Sequence, residues 1–73
     1  MVAIFTIKMW RITEYLDKEP HEPDRLIAKI IAAERSDGNP TPEEEMKRRI
    51  LNQLKELINE GKIEIKEGKL SAI

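Results

Sequence analysis

The chain has 73 residues, no cysteine and a formal net charge of −1, with 37% charged and 40% hydrophobic residues. The length predicts one domain over residues 1–73, without a disulfide or a thiolate metal site to stabilise it. The composition is typical of a folded protein, and the net charge is unlike the strongly basic balance of a non-specific nucleic-acid binder. The many Glu, Lys and Ile residues, with a single Gln, favour a thermophilic source.

The chain carries no signal for membrane insertion or secretion. Its longest apolar runs fall far short of the roughly 20 residues of a transmembrane helix. The first ten residues lack the basic flank and the cleavage site of a signal peptide. We therefore expect an intracellular, cytoplasmic protein that has no membrane partner.

The first predicted element is a helix over about residues 4–18. Apolar residues recur at helical spacing on one face: Phe5, Met9, Ile12 and Leu16. Apolar and polar residues alternate over 5–9, which is the pattern of a strand and leaves that alternative open for the start. We favour the helix because the four-residue spacing continues beyond Met9. Pro20 and Pro23 then force an extended connector.

The second predicted helix covers residues 23–35. Pro23 suits the first helical position, where its missing N–H is not needed, and Asp24 suits the positive end of the helix dipole. The apolar stripe consists of Leu26, Ile27, Ile30, Ile31 and Ala33. The sequence SDGNPT at 36–41 contains Asp-Gly and Asn-Pro and ends the helix.

The third predicted helix covers residues 42–60. Thr41 is the expected N-cap, Pro42 the first helical residue, and Glu44 the partner of Thr41 in a capping box. Gly61 is placed to end the helix in the left-handed conformation. The apolar arc consists of Met46, Ile50, Leu51, Leu54, Leu57 and Ile58.

The sequence period changes from helix to strand after Gly61, which predicts a hairpin over residues 62–73. Glu67-Gly68 would form its two-residue turn. The resulting register places Lys66 opposite Lys69, Ile65 opposite Leu70 and Ile63 opposite Ala72. The apolar residues of both strands then share one side, as a hairpin packed on helices requires.

The last helix and the hairpin resemble the winged helix-turn-helix superfamily. The residues that carry the resemblance are Ile50, Leu51, Leu54, Leu57, Ile58, Gly61, Lys62 and Ile63, followed by the hairpin. The resemblance implies a mainly α fold of three helices with a small C-terminal β-hairpin as the wing. It also implies a small DNA-binding protein, a transcriptional regulator whose third helix enters the major groove of double-stranded DNA. The SDGNPT link is longer than the compact turn usual between the two helices of this motif.

The basic residues are concentrated in the part that carries the resemblance. Residues 46–73 have seven Lys and Arg against four acidic residues, whereas residues 1–45 have six against ten. The predicted DNA contacts are Arg48, Arg49, Asn52, Gln53, Lys55, Lys62, Lys66 and Lys69. Arg, Asn and Gln side chains can read base edges, and Lys can contact phosphates. Glu45 and Glu56 share the outer face of the helix, where they would repel phosphates.

A second hypothesis is a protein-interaction or assembly module of winged-helix type that does not contact DNA. The aromatic residues Phe5, Trp10 and Tyr15 all fall on the first predicted helix and are the candidate interface. Trp10 would anchor such an interface if it pointed away from the core, and would otherwise cover a thin core. A homodimer through this helix is compatible with both hypotheses.

No pattern of residues predicts an enzyme. His21 is the only histidine, and its place between two prolines predicts a solvent-exposed ring. Ser36 and Ser71 have no candidate base near them in the sequence. We therefore predict no catalytic residue, no metal ligand, no cofactor and no small-molecule substrate.

Overall fold

The computed structural model describes residues 5–73, which form three helices followed by a two-stranded antiparallel hairpin. The helices are α1 (Trp10–Lys18), α2 (Pro23–Ser36) and α3 (Glu43–Asn59), and the strands are β1 (Ile63–Lys66) and β2 (Lys69–Ala72). The fold is the predicted one, mainly α with a C-terminal hairpin in a winged-helix layout. None of the described helices is long and apolar enough to cross a bilayer.

The predicted start of the first helix is wrong. α1 begins at Trp10, and residues 5–8 form neither a helix nor a strand; residue 4 lies outside the described residues. Backbone amides of this region donate to side chains elsewhere in the fold: Phe5 N–H to Thr41 Oγ1 at 3.4 Å and Lys8 N–H to Glu34 Oε2 at 3.3 Å. We call residues 5–9 the N-terminal segment, and its Ile7 is buried in the core.

One hydrophobic core joins the N-terminal segment, the helices and the hairpin. α2 packs against α1 and α3, α1 packs against β2, and α3 packs against β1. The spacing of the apolar residues in α2 and α3 places them on the inward faces. The buried residues are Ile7, Ile12, Leu16, Leu26, Ile27, Ile30, Ile31, Met46, Ile50, Leu54, Leu57, Ile63 and Leu70.

Gly61 ends α3 in the left-handed conformation, as predicted. Its φ is 74°, and its N–H bonds to the carbonyl of Ile58 at 3.0 Å. The N–H of Lys62 bonds to the carbonyl of Leu57 at 2.9 Å. These two bonds define a Schellman motif, which satisfies helix-end carbonyls and turns the chain directly into β1.

The predicted capping box at the start of α3 does not form. Pro42 occupies the N-cap position, and no side chain caps the helix. Thr41 is fully buried, and its hydroxyl donates to Asn39 Oδ1 at 2.6 Å. The same oxygen accepts the Thr41 N–H at 3.0 Å. The side chain of Thr41 is therefore engaged with Asn39 within the α2–α3 link and does not cap α3.

The hairpin has the predicted register, with Ile63 opposite Ala72, Ile65 opposite Leu70 and Lys66 opposite Lys69. Glu67 and Gly68 both have positive φ, 55° and 77°, as a type I′ turn requires. The shared apolar side is buried only in part. Ile63 and Leu70 are each 1% exposed, whereas Ile65 is 60% exposed.

The connector between α1 and α2 pairs with the free edge of β2. His21 N–H donates to the carbonyl of Leu70 at 3.0 Å, and Leu70 N–H donates to the carbonyl of His21 at 2.7 Å. β2 therefore lies between β1 and the connector. This pairing attaches the hairpin to the helices at a second point, in addition to the junction at Gly61.

Candidate nucleic-acid interface

The face of α3 opposite the core is exposed along its length. Because successive residues of a helix turn by 100°, the positions opposite the buried Met46, Ile50 and Leu54 fall in one strip. The exposed strip consists of Arg48, Asn52, Lys55 and Asn59. It contains three of the predicted DNA contacts and offers guanidinium, amide and ammonium donors to one ligand.

Glu45 binds both arginines at the N-terminal end of this strip. Arg48 Nη2 donates to Glu45 Oε2, and Arg49 Nε lies 3.1 Å from the same oxygen. The hydrogen bond from Arg48 holds the pKa of Glu45 below its ordinary value. Partial desolvation of Glu45 acts in the opposite direction, whereas the hydrogen bond and the charge of Arg49 lower the pKa further. The positive charge of the two arginines is thus partly neutralised within the protein.

Arg49 and Gln53 face the N-terminal segment. Arg49 Nη1 donates to the carbonyl of Phe5 at 3.2 Å, and the Arg49 side chain is 27% exposed, against 64% for Arg48. An open groove separates the N-terminal segment from α3 and is lined by Thr6, Ile7, Met9, Arg49, Asn52, Gln53 and Glu56. On α3, Arg48 and Lys55 therefore lie on the free face, whereas Arg49 and Gln53 lie beside this groove. Asn52 is exposed and also borders the groove.

The hairpin presents Lys66 and Lys69 on its exposed end. They are opposite each other in the register, next to the turn. Among residues 5–73, neither ammonium has a carboxylate within 4.0 Å, whereas Lys62 lies 3.5 Å from Glu60. Two like charges directly across a hairpin repel each other mildly, and an external anion would relieve that repulsion.

A buried polar network positions the start of α3 and was not predicted from the sequence. Glu34 is 2% exposed. Its carboxylate accepts bonds from Asn39 Nδ2 at 2.9 Å and from Lys8 N–H, and it lies 3.2 Å from Arg11 Nε. Asn39 in turn holds Thr41. We call these side chains, Arg11, Glu34, Asn39 and Thr41, the Glu34 network.

The Glu34 network ties the α2–α3 link to α1 and to the N-terminal segment. This explains how a link longer than the usual turn is held in one conformation. The position of Glu34 was the signal in the sequence for this network, because Glu34 follows Leu26 and Ile30 at four-residue intervals on the buried face of α2. A carboxylate there requires partners inside the fold.

The expectation that His21 is solvent-exposed is wrong. His21 is 7% exposed; Nδ1 of its ring lies 2.8 Å from the carbonyl of Glu19, and Nε2 lies 2.8 Å from Lys29 Nζ. Because the ammonium of Lys29 can only donate, Nε2 accepts its hydrogen bond, and Nδ1–H donates to the carbonyl of Glu19. The backbone pairing of His21 with Leu70 draws the ring against the fold and gives it a structural role.

The three aromatic residues of the predicted interface do not share one helix face. Phe5 precedes α1 and is 48% exposed, which corrects its assignment to the first helix. Tyr15 packs partly against the core. Trp10 is 57% exposed, and the Arg11 guanidinium lies 5.3 Å from its ring centre. Trp10 therefore points away from the core and is the one large hydrophobic residue of α1 that is exposed.

Comparisons with known proteins do not assign a family. No protein-family model matches the chain, and comparisons with curated proteins and with solved structures found no match. Within residues 5–73, no three metal-ligating side chains come together.

Proposed function

We propose that this protein binds double-stranded DNA, with α3 in the major groove and the hairpin against the sugar-phosphate backbone. The observation that supports this most is the exposed strip of Arg48, Asn52 and Lys55 on α3, together with a hairpin whose Lys66 and Lys69 have no carboxylate within 4.0 Å among residues 5–73. An α-helix fits the width of the major groove, and these side chains are the donors that bases and phosphates accept. A small cytoplasmic regulator of transcription is the role that suits this arrangement.

The proposal gives different tasks to the two ends of the strip. Arg48 and Asn52 are four residues apart, so they reach neighbouring positions of one groove, where arginine reads guanine and asparagine reads adenine. Lys55 and the hairpin lysines contact phosphates and set the register on the duplex. Binding would transfer Arg48 from Glu45 to a base, since the Arg48 side chain is already 64% exposed.

The acidic residues shape the kind of binding that we expect. Glu45 and Glu56 lie beside the strip and oppose non-specific attraction to phosphate. Three phosphate contacts from lysine would give a slope of about −3 in a plot of log affinity against log salt. We therefore propose a site-specific protein with weak non-specific binding, rather than a protein that coats DNA.

Adjacent arginines provide a matched pair of variants. Arg48→Ala removes the exposed guanidinium, and we expect it to relax base preference with a loss of about 1–3 kcal/mol at the preferred base. Arg49→Ala removes the same charge beside the N-terminal segment, so affinity should fall for all sequences while base preference stays. Fluorescence anisotropy on duplexes selected from a random pool at low salt separates the two effects. Equal loss of base preference in both variants would count against Arg48 as the reader.

The second candidate is a protein-interaction module, and the exposure of Trp10 favours it. A tryptophan that is 57% exposed at the start of a helix is typical of an interface anchor. The two functions are separable, because Trp10 lies on α1 and the DNA strip lies on α3. We expect Trp10→Ser to leave duplex affinity unchanged. A protein that binds no duplex at low salt would leave the interaction module as the better proposal.

A further inference from the structure

The outer edge of β1 has free backbone groups at Ile65. Leu70 exchanges both of its backbone bonds with His21, at 3.0 and 2.7 Å, and so directs them away from β1. Ile65 is directly opposite Leu70, which makes this a non-hydrogen-bonded pair of the hairpin. The N–H and C=O of Ile65 therefore point to the outer edge, where residues 5–73 supply no backbone partner.

The side chains around this edge are self-complementary. Ile65 is 60% exposed and lies on the same side of the hairpin as the buried Leu70. Glu64 and Lys66 flank it on the opposite side, one acidic and one basic, and neither forms an ion pair with another of residues 5–73. An antiparallel copy of the same strand reverses the order of these charges.

We propose that two copies of this chain form a symmetric dimer by pairing their β1 edges antiparallel, with the two-fold axis at Ile65. Ile65 of each copy would exchange N–H and C=O bonds with Ile65 of the other. Glu64 would lie opposite Lys66 of the second copy, and Lys66 opposite its Glu64. Those charged pairs occupy non-hydrogen-bonded positions, where side chains across a ladder approach most closely.

The neighbouring registers of this strand pair are less favourable. Centring the pair on Glu64 sets the two Glu64 carboxylates against each other. A register that places Ile65 opposite Glu64 of the second copy would need the backbone groups of Glu64, which already bond to β2. Lysine and glutamate on an edge strand usually serve to prevent such pairing. Here the alternation of Glu64 and Lys66 favours one antiparallel register, because each carboxylate then lies opposite an ammonium.

The interface is short, so the dimer would be weak. It has one backbone-bonded pair, two Glu–Lys pairs and the Ile65 contact, well below the roughly 800 Å² per partner of a standard stable interface. We expect a dissociation constant in the high micromolar range. The proposal does not depend on DNA binding, and it is tested on the free protein.

Charge reversal at the two flanking positions tests the dimer and its register together. Sedimentation equilibrium of the unmodified protein should show the mass rising from 8.5 kDa towards twice that value with concentration. Glu64→Lys and Lys66→Glu, each alone, should weaken association by about tenfold or more, because both cross-pairs become like-charged. An equimolar mixture of the two variants should associate again, since every pair is then oppositely charged.

Three results would overturn the proposal. One is a protein that stays monomeric at millimolar concentration. Another is association that neither single variant weakens, which would place the contact on another surface. The third is a mixture of variants that associates no better than each alone. Ile65→Pro, which removes the outward N–H at an edge where proline is tolerated, should abolish the dimer while circular dichroism reports a folded chain.

Discussion

Replacing Glu34 by alanine is expected to cost this small protein a large part of its stability. The Glu34 carboxylate is 2% exposed and connects α2 to Arg11, Asn39 and the backbone of Lys8. Alanine would leave the amide of Asn39 and the guanidinium of Arg11 without this partner inside the fold. Such orphaned polar groups account for many of the largest effects of single substitutions.

The size of the expected loss of stability follows from the contacts of Glu34. Removing one member of a buried ion pair costs about 3–5 kcal/mol. Arg11 is 15% exposed and also meets Asp37, so the loss should fall at the lower end of that range. The bond from Asn39, a hydrogen bond to a charged group, contributes about 1.5–3 kcal/mol within this total. We therefore expect a loss of about 3 kcal/mol, against a total of about 4–11 kcal/mol for a chain of this length.

Urea unfolding followed by circular dichroism measures this loss. Glu34→Gln retains an oxygen for Asn39 and removes the charge, so it should cost less than alanine. Glu14→Ala is the matched control, because Glu14 is exposed on α1 and makes no side-chain ion pair within residues 5–73. A loss for Glu34→Ala no greater than that of Glu14→Ala, about 0.5 kcal/mol or less, would refute the structural role of the Glu34 network.

Three further predictions concern α3 and the hairpin. NMR titration should give Glu45 a pKa below that of an ordinary glutamate, and Arg48→Ala should raise this pKa. The ion pair of Glu45 with Arg48 stabilises the fold at pH values above the pKa of Glu45 in the unfolded chain. This stabilisation is lost as the pH falls through the lowered pKa of the folded protein. Gly61→Ala should cost about 1–2 kcal/mol in urea unfolding, because φ is 74° there, and Gly61→Asn should cost less. Lys69→Ala should weaken binding to every duplex and reduce the salt slope by about 1 in anisotropy titrations.

The sequence predicted the second half of the fold best, because its signals are local. The register of the hairpin follows from a two-residue turn and an alternating pattern, and both are properties of adjacent residues. Gly61 ends α3 as predicted for the same reason. α2 ends one residue later than predicted, and α3 is one residue shorter than predicted at each end.

The errors arose where distant residues decide the structure. Phe5 and Lys8 donate their amides to Thr41 and Glu34, and that competition cannot be read from the helical spacing of the first residues. Thr41 has the right type and position for an N-cap, yet Asn39 binds its hydroxyl inside the link. His21 is buried because its backbone pairs with β2 far along the chain.

The candidate DNA contacts could be chosen by residue type and by helix face, but not by accessibility. Arg48 and Arg49 are the same residue type, and helical phase places Arg48 opposite the core and Arg49 on the flank of α3. Only the path of the N-terminal segment shows that this flank is partly covered. Arg49 reaches the carbonyl of Phe5, whereas Arg48 remains on the free face. The apolar side of the hairpin was likewise expected to be buried, yet Ile65 on that side is exposed. The register shows which side of the hairpin Ile65 lies on, but it does not show how far the helices extend beneath that side.

NMR mapping of duplex DNA on the protein tests the proposed interface most directly. The backbone amide signals of the free protein would be followed while a duplex selected from a random pool is added at low salt. We expect the shifts to concentrate at residues 48–55 of α3 and 62–69 of the hairpin, with α1 unchanged. Signals that stay in place at saturating duplex, or shifts confined to α1 around Trp10, would contradict the proposal that α3 reads DNA.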